Sequence, residues 1–196
     1  MQIIKVDYKS IFKKGLKSIK EDYEDCLICG RMGSGKTYYA IYKCEKELKR
    51  KKKVYTNIRT YTSSVHEVIK IDDWGQIPIM GKEDFDSVWI LDECSKRFPK
   101  DCKVDKDFYE FLQHSRKQNR SVYMIFQEYI MVPQWLRGVC DRVYTTSKLG
   151  FLCKTDLGIP YLDKDTYEWA LDNIGLTIYK RNKDIAKLYD TREIIN

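Results

Sequence analysis

The sequence predicts an α/β domain, a mostly parallel sheet flanked by helices. Three observations carry this. Strand-length apolar runs alternate with segments of helical periodicity along most of the 196 residues. The strongest runs, Val88-Trp89-Ile90-Leu91 and Val122-Tyr123-Met124-Ile125-Phe126, are apolar throughout, as buried strands are. A glycine-rich octet, GRMGSGKT at residues 30–37, stands between one apolar run and one helical segment.

Residues 1–24 form a basic lead-in, and residues 25–196 form the domain proper. In the lead-in, Ile11, Phe12, Leu16 and Ile19 stand at helical spacing among lysines. An amphipathic helix there could rest on the domain, on a neighbouring subunit or on a membrane surface. Cys26 to Cys29 reads as the first strand and Thr37 to Lys52 as the first helix, with Tyr38, Ile41, Tyr42 and Leu48 among charged residues. Val54 to Ile58 is the second strand, and Ser64 to Lys70 a possible helix. Gly75, Pro78 and Gly81 mark a loop-rich connection. Ser87 to Leu91 is a buried strand. Asp107 to Gln118 reads as a helix with Phe108, Phe111, Leu112 and Ser115 on one side, and Ser121 to Phe126 as another buried strand. Pro133 to Val139 is a short helix opened by proline. Arg142 to Thr146 and Phe151 to Lys154 are further strands. Asp163 to Asn173 looks helical, with Asp163 as its cap. Leu176 to Lys180 and Ile185 to Tyr189 resemble a C-terminal β-hairpin.

The octet fits G-x-x-x-x-G-K-[ST] without a mismatch. Its glycines let successive N–H groups face one concavity that accepts phosphate oxygens. Lys36 puts a positive charge on the β- and γ-phosphates, and Thr37 offers a hydroxyl to Mg²⁺. The helix that starts here points its positive end at the same anion. The nucleotide-binding set is Gly30, Arg31, Met32, Gly33, Ser34, Gly35, Lys36, Thr37 and Tyr38.

Hydrolysis needs more than a cradle. The strand Ser87 to Leu91 ends in Asp92-Glu93, and ligands of parallel α/β sheets bind beyond such strand ends. Asp92 is placed to hold Mg²⁺ and Glu93 to polarise a water for attack on the γ-phosphate. Nucleotide kinases and small GTPases usually lack the second acid, so the pair points to an ATPase. Gln127 ends the next strand. Its amide can sense the γ-phosphate, or simply mark where a buried strand surfaces. Arg116 and Arg120 lie in the basic run before that strand. Either could reach a neighbouring subunit's nucleotide and neutralise charge on the transferred phosphoryl group, or serve as a solvated surface charge.

Composition sets the frame. Net charge is +7, hydrophobic residues make up 43% and aromatic ones 13%, which is globular. No run approaches a membrane span, and no signal peptide is visible. Seven cysteines suggest free thiols in a reducing cytoplasm. Cys26 and Cys29 form a C-x-x-C, but three residues apart on a strand they point to opposite faces. The basic excess clusters near the start, at Lys49 to Lys53, and near Lys180, Arg181 and Lys183, which suits a polyanion such as nucleic acid.

Together, GRMGSGKTYYA, VYTNI, SVWILDECSKRFP, FLQHSRKQNRSVYMIFQ and VPQWLRGVCDRVY resemble the zonular occludens toxin-like (Zot-like) ATPases, which include filamentous-phage assembly proteins. The resemblance covers about residues 25–147. It implies an additional-strand P-loop core of the RecA/FtsK–HerA type, shared with DNA-translocating and viral genome-packaging ATPases. It also implies Lys36 and Thr37 as the Walker A pair, Asp92 and Glu93 as the Walker B pair, Gln127 as sensor and Arg116 or Arg120 as the trans arginine. The family commonly has His-Arg-His where this chain has His114-Ser115-Arg116. Filamentous-phage members carry a membrane span after the ATPase domain, and this sequence shows none.

The expected function is an ATP-hydrolysing, Mg²⁺-dependent DNA translocase of virus packaging or phage extrusion. It would work as a homo-oligomeric ring, a pentamer or hexamer, that grips DNA without reading its sequence. Portal, capsid or membrane assembly proteins would be its partners, in the host cytoplasm or with the virion. A small-molecule or nucleotide kinase and a non-catalytic nucleotide-binding scaffold at a membrane complex are the competing readings.

Overall fold

The computed structural model describes residues 4–6, 23–47, 51, 53–149 and 152–189. Among the described residues the centre is a sheet of nine strands: β1 (Ile4–Val6), β2 (Asp25–Cys29), β3 (Lys53–Thr56), β4 (Glu67–Lys70), β5 (Ser87–Leu91), β6 (Ser121–Ile125), β7 (Arg142–Leu149), β8 (Leu152–Leu162) and β9 (Trp169–Lys180). Their spatial order is β1-β9-β8-β7-β2-β6-β5-β3-β4. From β7 to β4 all pairings are parallel. On the other side β8, β9 and β1 are added antiparallel. The helices are α1 (Lys36–Glu47), α2 (Gln76–Met80), α3 (Cys94–Arg97), α4 (Lys106–Gln113), α5 (Gln134–Val139) and α6 (Lys183–Ala186).

The central strands are buried on both faces, and alternate side chains enter two separate cores. Cys26, Ile28, Val88, Ile90, Tyr123 and Ile125 join Tyr38, Ile41 and Cys44 of α1 on one face. Leu27, Cys29, Trp89, Leu91, Val122 and Met124 pack with Phe108, Phe111, Leu112 and Leu136 on the other. Cys26 and Cys29 thus lie in different cores, as their spacing requires. No cluster of His, Cys, Asp and Glu suited to a metal exists among the described residues.

Three expected elements differ. Glu67 to Lys70 is a strand rather than the end of a helix. Ser63 Oγ accepts from Val65 N and His66 N at 3.1 and 3.0 Å, which makes a turn. Val68 and Ile69 then pack toward opposite cores while pairing with β3. Residues 163–173 are not a helix either. Asp163 Oδ1 accepts from Asp165 N and Thr166 N at 2.8 and 3.2 Å, but it caps a tight turn, and Trp169 opens β9. The gain of a full β8–β9 ladder outweighs a weak helical pattern. The C-terminal hairpin is therefore β8–β9. Residues 183–186 are helical, with Asn182 Oδ1 accepting from Asp184 N at 2.8 Å.

The helix expected over 107–118 stops at Gln113 and continues as turns, and the strand expected at 151–154 runs on to Leu162. The proposed amphipathic helix at 11–19 and residues 48–50 and 52 lie outside the described residues. Among the described residues no helix is long and apolar enough to cross a membrane.

Candidate functional site

The loop between β2 and α1 is shaped by its glycines. Gly33 and Gly35 have φ of 72° and 97°, a region that side chains with a Cβ avoid. At Gly30 an added Cβ would lie 2.5 Å from both Ser34 Oγ and the Thr146 carbonyl oxygen. Ser34 Oγ and Thr146 Oγ1 are hydrogen-bonded at 2.7 Å. Gly30 N donates to Gln127 O at 2.9 Å, so the loop is tied to β7 on one side and to the end of β6 on the other. Arg31 and Met32 form its exposed outer edge.

Lys36 Nζ bridges the loop, donating to Gly30 O at 2.9 Å and Arg31 O at 3.3 Å. Burial lowers its pKa, against the pull of Asp92 and Glu93 nearby. Thr37 Oγ1 donates to Asp92 Oδ2 at 2.6 Å. Asp92 Oδ1 accepts from Glu93 N at 2.7 Å. Burial raises the Asp92 pKa although the Thr37 and Glu93 bonds favour its charged form. The backbone of Asp92 is clamped by Asn57, whose Oδ1 accepts from Asp92 N at 2.8 Å and whose Nδ2 donates to Asp92 O at 2.9 Å.

Glu93 has φ 56° and ψ 34°, the left-handed conformation, at the start of α3. For a residue with a Cβ this is strained, and such strain concentrates at functional sites. The bend turns the chain at the strand end, so Asp92 and Glu93 both border one cavity of about 360 Å³ with Lys36, Thr37 and Gln127. The sequence-predicted Walker residues and the sensor position therefore meet at one place. A second cavity of about 650 Å³ lies beside the same loop, between the ends of β6 and β7, against Tyr129, Thr146 and Lys148.

Two predicted site residues lie elsewhere, and one is only partly at the site. Tyr38 borders the cavity, but its ring is in the core, stacked on Tyr42 and Tyr179 at centroid distances of 6.3 and 6.1 Å. Arg120 cannot project into a neighbour. It is wholly buried, its guanidinium donating to Gly81 O at 2.9 Å and to Phe111 O and lying 3.8 Å from the Phe111 ring centroid. A Cβ on Gly81 would strike the Phe111 ring at 2.4 Å, so the glycine makes room for this arginine's platform. Arg116 is exposed and lies over the Tyr23 ring at 5.9 Å. That is the end of the sheet where β2 begins, about 15 Å from the loop by strand rise. Within its own subunit it does not reach the phosphate cradle.

The geometry also adds residues that motif reading missed. Asn57 clamps Asp92, and its only sequence signal is a polar residue closing a strand. Thr146 and Lys148 come from β7, while Arg181 and Tyr189 come from the segment after β9. The chemistry of the donors fits a nucleotide with Mg²⁺: a backbone cradle, one lysine, and a hydroxyl beside a carboxylate.

Comparison with known proteins agrees with this geometry. The family model described as zonular occludens toxin (Zot) matches residues 26–193. The fold is similar to the N-terminal domain of zonular occludens toxin from Neisseria meningitidis, at TM-score 0.61 and 22% identity over 86% of this chain and 99% of that one. It is also similar to the genome-packaging NTPase B204 from Sulfolobus turreted icosahedral virus 2, in complex with ATP-gammaS, at TM-score 0.52 and 14% identity over 78% of this chain and 98% of that one. No curated protein matches the sequence.

Proposed function

The chain belongs to the Zot family, and on that premise we propose that it is an ATP-hydrolysing motor that moves DNA during virus genome packaging or phage assembly. The observation that supports ATP hydrolysis is the 2.6 Å contact of Thr37 Oγ1 with Asp92 Oδ2, beside Glu93 and under the phosphate loop. B204, a genome-packaging NTPase with the same fold, supports the class of work.

In this reading the loop N–H groups and Lys36 bind the β- and γ-phosphates of ATP. Thr37 and Asp92 would hold Mg²⁺, which when bound neutralises charge on the phosphate oxygens. Asn57 holds Asp92 in place for that role. Glu93 takes the proton of the attacking water. Gln127, bordering the same cavity, orients that water or senses the γ-phosphate. Arg116, remote from its own loop, acts on the nucleotide of the next subunit in a homo-oligomeric ring. A net charge of +7 suits contact with DNA phosphates without reading bases, so affinity falls steeply with salt.

The test is phosphate release from ATP with Mg²⁺, with and without DNA, for the native chain and Lys36→Ala. DNA-stimulated release that Lys36→Ala abolishes is the expected result. Transfer of phosphate to a small-molecule acceptor would make the protein a kinase. ATP binding without turnover, even with DNA and the assembled ring, would make it a scaffold.

A further inference from the structure

The cavity at Lys36, Thr37, Asp92 and Glu93 has a wall that the mechanism above does not use. Arg181 and Tyr189 supply it. Arg181 directly follows β9, and its guanidinium carbon lies 5.0 Å from the Tyr38 ring centroid. Arg181 Nη2 donates to Tyr189 Oη at 3.4 Å, a long bond. Its Nε is buried with no hydrogen-bond partner among the described residues. Arg181 is half-buried, and a guanidinium that borders the cavity with one donor unmet suits an anionic acceptor there.

The backbone beside it is fixed. Asn182 N donates to Tyr38 Oη at 2.8 Å, and Tyr38 follows Thr37 in α1. Thr62 N donates to Leu188 O at 2.8 Å, which pins the far end of the same segment. Arg181 is thereby held by the helix that carries the Mg²⁺-facing hydroxyl. The charges at the cavity are unbalanced for a triphosphate. Lys36 and the exposed Lys148 face Asp92 and Glu93, and a bound nucleotide would add several negative charges.

We propose that Arg181 is a nucleotide-contacting residue that binds the phosphate tail of a nucleoside triphosphate held on its own subunit's loop. A planar guanidinium suits phosphate oxygens, and the Tyr38 ring pre-orients it. The segment after β9 thereby closes the site and registers whether a triphosphate is present. This rests on the phosphate-loop reading.

The experiment uses the full chain and measures binding of fluorescent ATP and AMP analogues to the native protein, Arg181→Ala, Arg181→Lys and Lys36→Ala. Melting without nucleotide shows that each variant is folded. Arg181→Ala is expected to weaken ATP about tenfold to a hundredfold, the usual worth of hydrogen bonds to a charged group. AMP, with fewer phosphates, loses less, and Arg181→Lys recovers part of the ATP affinity. If Arg181→Ala melts early, Arg181→Gln keeps most of the stem on Tyr38, drops the charge, and carries the same expectation. Unchanged ATP affinity in the folded variant overturns the proposal, and so does an equal loss for ATP and AMP. Lys36→Ala separates the two readings. If it binds ATP normally, the phosphate loop itself is misassigned. If it fails while Arg181→Ala binds normally, only the role of Arg181 falls.

Discussion

Glu93 holds strain at the position assigned to water activation, and the strain can be released by one substitution. Its φ of 56° and ψ of 34° are reached by glycine without a Cβ penalty. For other residues the left-handed well costs about 1–2 kcal/mol. Glycine gives back about 0.4–1 kcal/mol through the greater freedom of the unfolded chain. Glu93→Gly should therefore be more stable than Glu93→Ala by about 0.5–1 kcal/mol. For a domain of this size that is a rise in Tm of roughly 1–4 °C. Glu93→Ala is the proper reference because it removes the carboxylate but keeps the Cβ. Both variants should lose about 10²–10⁴-fold in phosphate release, since both lack the carboxylate proposed as the base. The assay pairs thermal melting without nucleotide with steady-state ATPase rates. If Glu93→Gly melts below Glu93→Ala, the strain argument is wrong. If either variant turns over at the native rate, Glu93 is not the base.

Arg120→Met removes the guanidinium from two buried carbonyls, Gly81 O and Phe111 O, and should cost about 2 kcal/mol or more in urea unfolding; a fully stable variant would contradict the buried role. Arg116→Ala should leave stability within about 0.5 kcal/mol, because the side chain is exposed. Mixed with Glu93→Gln it should restore ATPase activity that neither variant shows alone, and no recovery in rings shown to have mixed would remove Arg116 from the mechanism. Glu24 is buried against Lys43 Nζ at 2.5 Å and Arg142 Nη1 at 3.1 Å, and it accepts from Tyr123 Oη and Tyr144 Oη at 2.6 and 2.9 Å. Burial alone would raise its pKa, but Lys43, Tyr123 and Arg142 outweigh that and hold it below the ordinary value. Glu24→Gln should cost about 3–5 kcal/mol at neutral pH. A depressed carboxylate stabilises fully above its unfolded pKa of about 4.3, and that contribution fades as pH falls through the lower folded value. The gap between native and variant urea midpoints should close in that acid window, and a gap independent of pH would argue against an ionised Glu24.

Much of this protein was legible in the sequence because the information is local. A phosphate loop is one contiguous octet, and its glycines, lysine and threonine are defined by their positions in the loop. The strands Ser87 to Leu91 and Ser121 to Ile125 announced themselves because burial on both faces leaves no room for polar residues. From those strands it followed that Asp92, Glu93 and Gln127 stand at ends facing the same loop. Weaker local signals failed where tertiary pairing outweighed them. Glu67 to Lys70 and Trp169 to Asn173 carry only loose helical spacing, and each gains more by joining a strand already in place.

Only the tertiary structure decided the fate of the arginines. Arg116 and Arg120 are four residues apart in one basic run, yet one is in solvent and the other is sealed between Gly81 and Phe111. That difference depends on where α2 and α4 meet, which the run itself does not encode. The same holds for Asn57, Thr146 and Arg181. Thr146 lies beside the loop because β7 pairs with β2, Asn57 meets Asp92 because β3 pairs with β5, and Arg181 is placed by the bond from Asn182 N to Tyr38 Oη; strand order is fixed by the packing of the whole sheet rather than by any one segment.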